Sequence, residues 1–239
     1  TAFKLKGYSG ESDGICTYTT GTKQALKTAP VIESVAIPTF RERFNLDSMV
    51  TDSELLASVP SSAGILAAPL NLYDYQEEIF ASMLKAKKAV CSMTMGSGKT
   101  LTSIACYGWL RANLNPNARL LVICPESLKI QWAKEVKRAL GMDSLLVNTP
   151  KHLEKLGTKS VEIVTYQTFA KRHERFTEQK YDLVIMDEIQ FIRNDESKAW
   201  KAAKTLKSEY FFGLSGTVIE NRLDDLYSIM DVIAPGSLG

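Results

Sequence analysis

The chain has 239 residues, 45% hydrophobic and 23% charged, a balance that excludes a disordered or low-complexity protein. Its 29 Lys and Arg against 27 Asp and Glu leave a net charge of +2, which excludes a general polyanion-binding field, so any nucleic-acid surface has to be local. No apolar run approaches the roughly 18 residues of a spanning helix and no signal-peptide pattern opens the chain, so no membrane partner is expected.

Residues 1–69 are rich in Thr, Ser, Ala and Pro, with short apolar pieces such as "VIESVAI", and read as an accessory extension to which no fold can be assigned. From Leu70 to Gly239 strand and helix signals alternate. "DYQEEIFASMLKA" predicts a helix opened by Asp74 with Glu77 three positions on, a capping-box-like start, and with Ile79, Phe80, Met83 and Leu84 on one face. "AVCSM" predicts a short buried strand, and Thr100 to Asn113 a helix ended by "NPNA". "RLLVICP" is the next strand, followed by a helix from Ser127 to Leu140. "SLLVN", "VEIVTY", "DLVIMDE" and "EYFFGLSGT" are further strands, with helical patterns between most of them. This alternation predicts an α/β fold, a mostly parallel sheet with helices on both faces.

Cysteines 16, 91, 106 and 124 are scattered without a C-x-x-C pair, and three stand in apolar runs. They predict buried thiols of a reduced, intracellular protein. That means the cytoplasm for a prokaryotic or viral chain and the nucleus for a eukaryotic one. Thr1 opens the chain and "APGSLG" closes it, which reads as a piece of a longer protein.

Chemistry enters at "MTMGSGKT", residues 93–100, between a predicted strand and a predicted helix. Gly96 and Gly98 let the backbone curl so that its N–H groups, with that of Ser97, point at phosphate oxygens. The helix start adds its positive dipole end. In a P-loop, Lys99 reaches the β- and γ-phosphates of ATP and the Thr100 hydroxyl ligates Mg²⁺. A Gly/Ser turn that happens to precede a lysine would give the same string. The strict pattern also fails at Met93, where glycine is usual. "DLVIMDEIQ" supplies the partner that a P-loop needs. Four apolar residues carry a strand to its end, where Asp187 suits the metal's water shell and Glu188 suits a general base toward water. An exposed acidic pair closing a strand is the plainer alternative.

"FFGLSGTVIENRLDDLYSIMDVIAPGSLG" resembles the motif III region of Swi/Snf-type ATPases of helicase superfamily two. Upstream, "LYDYQ" resembles that family's leading L-x-P-Y-Q, "LLVICPESLKIQWAKEV" its motif Ia, "IVTYQTF" its motif Ib, and "DEIQFIRN" its D-E-A-H/Q stretch. Together they follow the family's order over residues 70–239. The resemblance implies a RecA-like P-loop NTPase lobe that binds ATP and Mg²⁺ and tracks double-stranded DNA without reading its sequence. It implies that Gln76 contacts adenine and that Ser215, Gly216 and Thr217 couple nucleotide state to movement. It implies that Pro125, Ser127, Lys129, Tyr166, Gln167, Thr168 and Arg222 lie along one DNA strand. Trp132 falls in the same stretch but reads more readily as core than as a ligand. The departures are Met93 and Thr94 where acidic residues are usual, and Val218 where proline is. A second lobe, which supplies an arginine finger in such motors, has no motifs here and is expected elsewhere in the full-length chain. A strand-separating helicase shares these motifs. A non-catalytic, ATP-gated DNA-binding module would be expected to have lost one of Lys99, Thr100, Asp187 or Glu188. A small-molecule P-loop kinase would not need "SGTVIEN".

Overall fold

The computed structural model describes residues 62–216 and 223–237, together with the backbone of two short strands near the start. Those strands, β1 (Tyr8–Ser12) and β2 (Ile15–Tyr18), pair antiparallel, with an irregular register between Tyr8 and Glu11. They belong to a compact unit of residues Thr1–Glu54, and a second unit spans Leu55–Gly239. Described residues ahead of Leu70 pack into this second unit. Leu66 is buried in its core, the Ala67 N–H donates to the Ala139 carbonyl at 2.8 Å, and the Ser62 N–H donates to Glu77 at 3.1 Å.

The second unit is built on six strands. In chain order its elements are α1 (Asp74–Ala86), β3 (Lys88–Ser92), α2 (Lys99–Asn113), β4 (Leu120–Cys124), a 3₁₀ turn (Glu126–Leu128) and α3 (Lys129–Leu140). Then come β5 (Ser144–Val147), α4 (Pro150–Leu153), β6 (Val161–Thr165), α5 (Tyr166–Thr177) and β7 (Leu183–Asp187). A second 3₁₀ turn (Ile189–Ile192), α6 (Lys198–Ala203), β8 (Tyr210–Ser215) and α7 (Leu223–Ile233) complete it. The sheet order is β3-β8-β7-β4-β6-β5, and every neighbouring pair is parallel.

Strands β4, β7 and β8 are buried along their whole length, the mark of a parallel sheet covered on both faces. Successive side chains leave opposite faces. Leu120, Val122 and Cys124 pack with Phe80 of α1, Ile104 of α2 and Trp132 of α3, while Leu121 and Ile123 pack with Phe169 of α5, Ala203 of α6 and Ile233 of α7. The expected α/β architecture, helices on both faces included, is what the chain adopts. Cys91, Cys106 and Cys124 are buried free thiols, as their apolar surroundings suggested.

Two helix starts differ from the sequence reading. Tyr73, not Asp74, is the residue before the first turn of α1, and its N–H is closed by the Gln76 Oε1 at 2.9 Å. Glu77 is drawn instead to Ser62. In α3, Ser127 stands in the 3₁₀ turn and the α-helix begins at Lys129. Residues Thr217 and Arg222 lie outside the described residues.

Candidate functional site

Because all six strands run the same way, the loops that leave their carboxyl ends gather on one rim of the sheet. The loop after β3 is tied to β8 by the Met93 N–H, which donates to the Ser215 carbonyl at 3.2 Å. Met93 itself is buried in the core under α2. The position that is usually glycine thus serves here as an apolar anchor, and its carbonyl accepts the Lys99 Nζ at 2.9 Å. Lys99 also donates to the Thr94 carbonyl at 3.2 Å.

Gly96 and Gly98 have φ of 79° and 86°, the left-handed region that side chains disfavour. At Gly98 the constraint is double, because an added Cβ would stand 2.1 Å from the Gln76 Nε2. That amide is buried, and its Nε2 donates to the Ser97 carbonyl at 2.9 Å. The Tyr75 hydroxyl donates to the same carbonyl at 3.1 Å. Gln76 therefore spans the start of α1 and the phosphate loop. An amide still keeps one N–H and one lone pair for an adenine edge after those two bonds.

Asp187 ends β7, one strand over from β8, and is 5% exposed. Its Oδ1 accepts the Glu188 N–H at 3.0 Å and its Oδ2 accepts the Trp132 Nε1–H at 2.8 Å. Burial pushes its pKa above the ordinary carboxylate value, against the Trp132 hydrogen bond and the Lys99 charge, which pull it down. Glu188 turns the chain with φ 52°, a conformation that costs a non-glycine residue about 1–3 kcal/mol and concentrates at functional sites. Its Oε2 accepts the Gln190 Nε2–H at 2.7 Å, and the Gln190 Oε1 accepts the Ser215 hydroxyl at 2.9 Å. Gln190 thus bridges the acidic pair to the end of β8, beside Gly216. The sequence reading gave Gln190 no task, although its place two residues after Glu188 was a usable signal.

The Mg²⁺ that a P-loop implies can be tested against these donors. Among the described residues no three His, Cys, Asp or Glu side chains gather into a metal cage. Among the described residues each Asp187 oxygen accepts from one donor, and Thr100 is half-buried in the first turn of α2. That sparse set fits Mg²⁺, which keeps several waters and is held by one or two protein groups plus phosphates.

The candidate DNA residues leave the neighbouring strands β4 and β6 on the same rim. Ser127 and Gln167 are exposed, and Pro125 and Thr168 are half-buried. The Thr168 N–H is taken by the Thr165 Oγ1 at 3.2 Å, a cap on α5. Two of the candidates are buried and have local partners. Lys129 is 5% exposed and its ammonium is paired with the exposed Glu126. Tyr166 is 3% exposed, and its hydroxyl donates to the Asp187 carbonyl at 2.8 Å, so its side chain faces the interior. Trp132 is core, as expected, but its indole N–H also donates to the Asp187 carboxylate.

A parallel sheet with a phosphate loop after one strand and an acidic pair two strands away defines a P-loop lobe of the RecA-like type. Within that class the particular family is shown: the chain belongs to the SNF2-related domain family, whose model matches residues 70–239. It is similar to the SWI2/SNF2 ATPase core of Sulfolobus solfataricus, solved in complex with double-stranded DNA. The identity is 33%, the TM-score is 0.65, and 70% of this chain and 36% of that one are covered. It is also 36% identical over 153 residues to an ATP-dependent helicase of Mycoplasma pneumoniae, and 31% identical over 164 residues to Switch 2 of Arabidopsis thaliana. The matches span 15% and 19% of those two proteins.

Proposed function

We propose that this lobe is the ATP-binding half of a DNA-dependent ATPase that moves along double-stranded DNA. One observation carries the reading: the phosphate loop, the acidic pair and the Ser215–Gln190 bridge leave the adjacent strands β3, β8 and β7, while the candidate DNA segments leave the next strands, β4 and β6. Nucleotide chemistry and strand contact share one rim of one rigid sheet.

In this reading the N–H groups around Gly96, Ser97 and Gly98 cradle the phosphates. Lys99 leaves the Met93 and Thr94 carbonyls for the β- and γ-phosphates, and Gln76 contacts adenine. Thr100 and Asp187 would hold Mg²⁺, which when bound neutralises phosphate charge and draws negative charge toward the leaving oxygen. Glu188 accepts a proton from the attacking water, oriented by Gln190. Ser215 and the Gly216–Thr217 stretch report nucleotide state through the same glutamine. Ser127, Gln167 and the backbone at the starts of α3 and α5 contact phosphates, which suits a motor indifferent to base sequence.

In this reading an arginine finger comes from a second lobe of the full-length protein. Arg111 and Arg119 sit at the amino ends of the strands, donating to the Ala118 carbonyl and to Glu162. Arg138 and Arg175 pair with glutamates close by in sequence. These four are held away from the phosphate loop, and Arg193 and Arg222, the nearest in sequence to the site, stand in no recognisable finger motif; a finger is typically worth roughly 10³–10⁵ in rate. The protein then acts inside a cell, where ATP and DNA meet.

The deciding experiment measures ATP hydrolysis by the full-length protein, titrated with single-stranded and duplex DNA side by side. Duplex DNA should stimulate turnover more than single strands of equal length, and Glu188→Gln should abolish turnover while ATP still binds. Turnover indifferent to DNA would overturn the reading.

A further inference from the structure

Strand β5 ends the sheet and, among the described residues, pairs on one side only, with β6. Alternate residues of a strand turn their N–H and C=O to opposite sides, so half of this four-residue strand offers its backbone outward. Leu145 and Leu146 are half-buried along that open edge. The Ser144 Oγ is buried and has no hydrogen-bond partner among the described residues.

The two faces that flank the edge differ in character. On the α3 face, Leu146 joins Leu140 and Met142 at the apolar margin of the core. On the other face, Leu145 joins Leu153 and Leu156 of the crossover that leads from β5 to β6. That crossover carries three exposed lysines, Lys151, Lys155 and Lys159, against one acidic residue, Glu154. Lys151 lies in α4, past the carboxyl end of β5. Lys159 returns to the amino end, where Lys137, at 3.0 Å, and then Lys159 hold the Asp143 carboxyl below its usual range. Among the described residues none of the three crossover lysines is in a salt bridge.

Lysines also keep a bare edge from pairing with other bare edges. Repulsion of that kind leaves the buried Ser144 hydroxyl unpartnered, at a cost in stability. An acidic strand laid along β5 would answer both the hydroxyl and the unpaired charge. We propose that β5 is a docking edge for an extended, acidic segment of a partner protein, which adds to the sheet as a further strand. Every second side chain of that segment carries a carboxylate toward the crossover lysines. Those between are apolar and cover Leu146 and Met142. Main-chain hydrogen bonds give such a strand its affinity and the alternation gives it specificity. The edge lies at the opposite end of the sheet from β3 and the phosphate loop, so the proposal does not depend on the ATPase reading.

The probe is a fluorescent octapeptide alternating valine and glutamate, titrated into the full-length protein while hydrogen exchange is followed over β5. The peptide should bind and slow exchange within residues 144–147. Of its two alternately N-methylated forms, the one that blocks the pairing side should bind at least about tenfold more weakly, because ladder bonds are lost. Lys151→Gln, Lys155→Gln and Lys159→Gln together should weaken binding at least about fivefold and leave the thermal midpoint unchanged, since all three side chains are exposed. Equal binding of both N-methylated forms would reduce the contact to charge alone and overturn the proposal. So would full binding to the lysine variant, or no binding at all, which would leave the lysines as guards of the edge. A β5 already protected without peptide would mean that another segment of the full-length chain, or a second copy, covers it, and would overturn the proposal too. Duplex DNA that displaces the peptide and binds the lysine variant more weakly would make this a nucleic-acid surface instead.

Discussion

Gly98 offers the sharpest test of how the phosphate loop is held. Alanine there meets two penalties. A left-handed conformation costs an L-residue about 1–2 kcal/mol. The new Cβ would also sit 2.1 Å from the Gln76 Nε2, so that buried amide must swing away. Doing so breaks its bonds to the Tyr73 N–H and the Ser97 carbonyl, both 2.9 Å, at about 1 kcal/mol each. Gly98→Ala should therefore destabilise by roughly 3–4 kcal/mol, lowering the melting midpoint by about 6–16 °C for a unit of this size. The assay is thermal unfolding followed by circular dichroism in two backgrounds. With Gln76→Ala already in place the clash partner is gone, and only the left-handed cost of about 1–2 kcal/mol should remain. Equal losses in both backgrounds would refute the contact between Gly98 and Gln76. No loss in either would refute the loop conformation itself.

Lys99→Ala should abolish nucleotide binding in a titration while moving the melting midpoint by less than about 1 kcal/mol equivalent, because the half-buried ammonium touches only loop carbonyls. Gln76→Ala should weaken ATP and GTP together by loosening the loop and ATP further by losing the adenine contact; an unchanged ratio of the two affinities would confine Gln76 to the loop. Burial pushes the thiols of Cys91 to about 11 and Cys124 to about 12, so at pH 8 about one part in a thousand or fewer are thiolate. Neither, nor the buried Cys106, should take a thiol reagent until the protein is denatured, and mass spectrometry finding label on any of them in native protein would contradict the packing.

The parts of this lobe that could be read from sequence are those where one local pattern serves one physical need. The bounds of α1 match its apolar face, and the four apolar residues before Asp187 announce a buried parallel strand. Gly96 and Gly98 mark the two positive φ values of the phosphate loop. What could not be read depends on choices between equivalent partners. Glu77 has the spacing to close the first turn of α1, yet Gln76 closes it because Ser62, distant in sequence, captures the glutamate. Lys129 looks like a free cation until the 3₁₀ turn brings Glu126 against it. Trp132 and Asp187 are brought together by α3 packing across β4 onto the end of β7, and no periodicity reports that contact. Residues 1–61 had no periodic signal to read beyond short apolar pieces.

The opposite rim of the sheet shows why the carboxyl rim can carry strained and exposed groups. At the amino ends of β4, β6 and β7 the chain is locked by a buried carboxylate. Glu162 is 0% exposed, and its oxygens accept from the Arg119 Nη2 at 2.9 Å, the Gly157 N–H at 2.6 Å and the Tyr181 hydroxyl at 2.5 Å. Beside it the Asp182 carboxylate takes the Arg119 N–H at 2.8 Å and the Asn115 side chain at 3.1 Å. Removing one partner of a buried ion pair leaves the other uncompensated and costs about 3–5 kcal/mol. Arg119→Ala should thus cost that much, in part through lost stacking of the guanidinium on Tyr181, whose ring centroid is 4.9 Å away. A five-residue strand puts this lock roughly 16 Å from the phosphate loop rim. Nucleotide affinity of the folded variant, measured well below its melting midpoint, should therefore stay within about twofold of wild type. A variant as stable as wild type would show that Glu162 finds other partners. One that is destabilised and also loses nucleotide would show that the two rims are not independent, and that the sheet is softer than its close-packed strands imply.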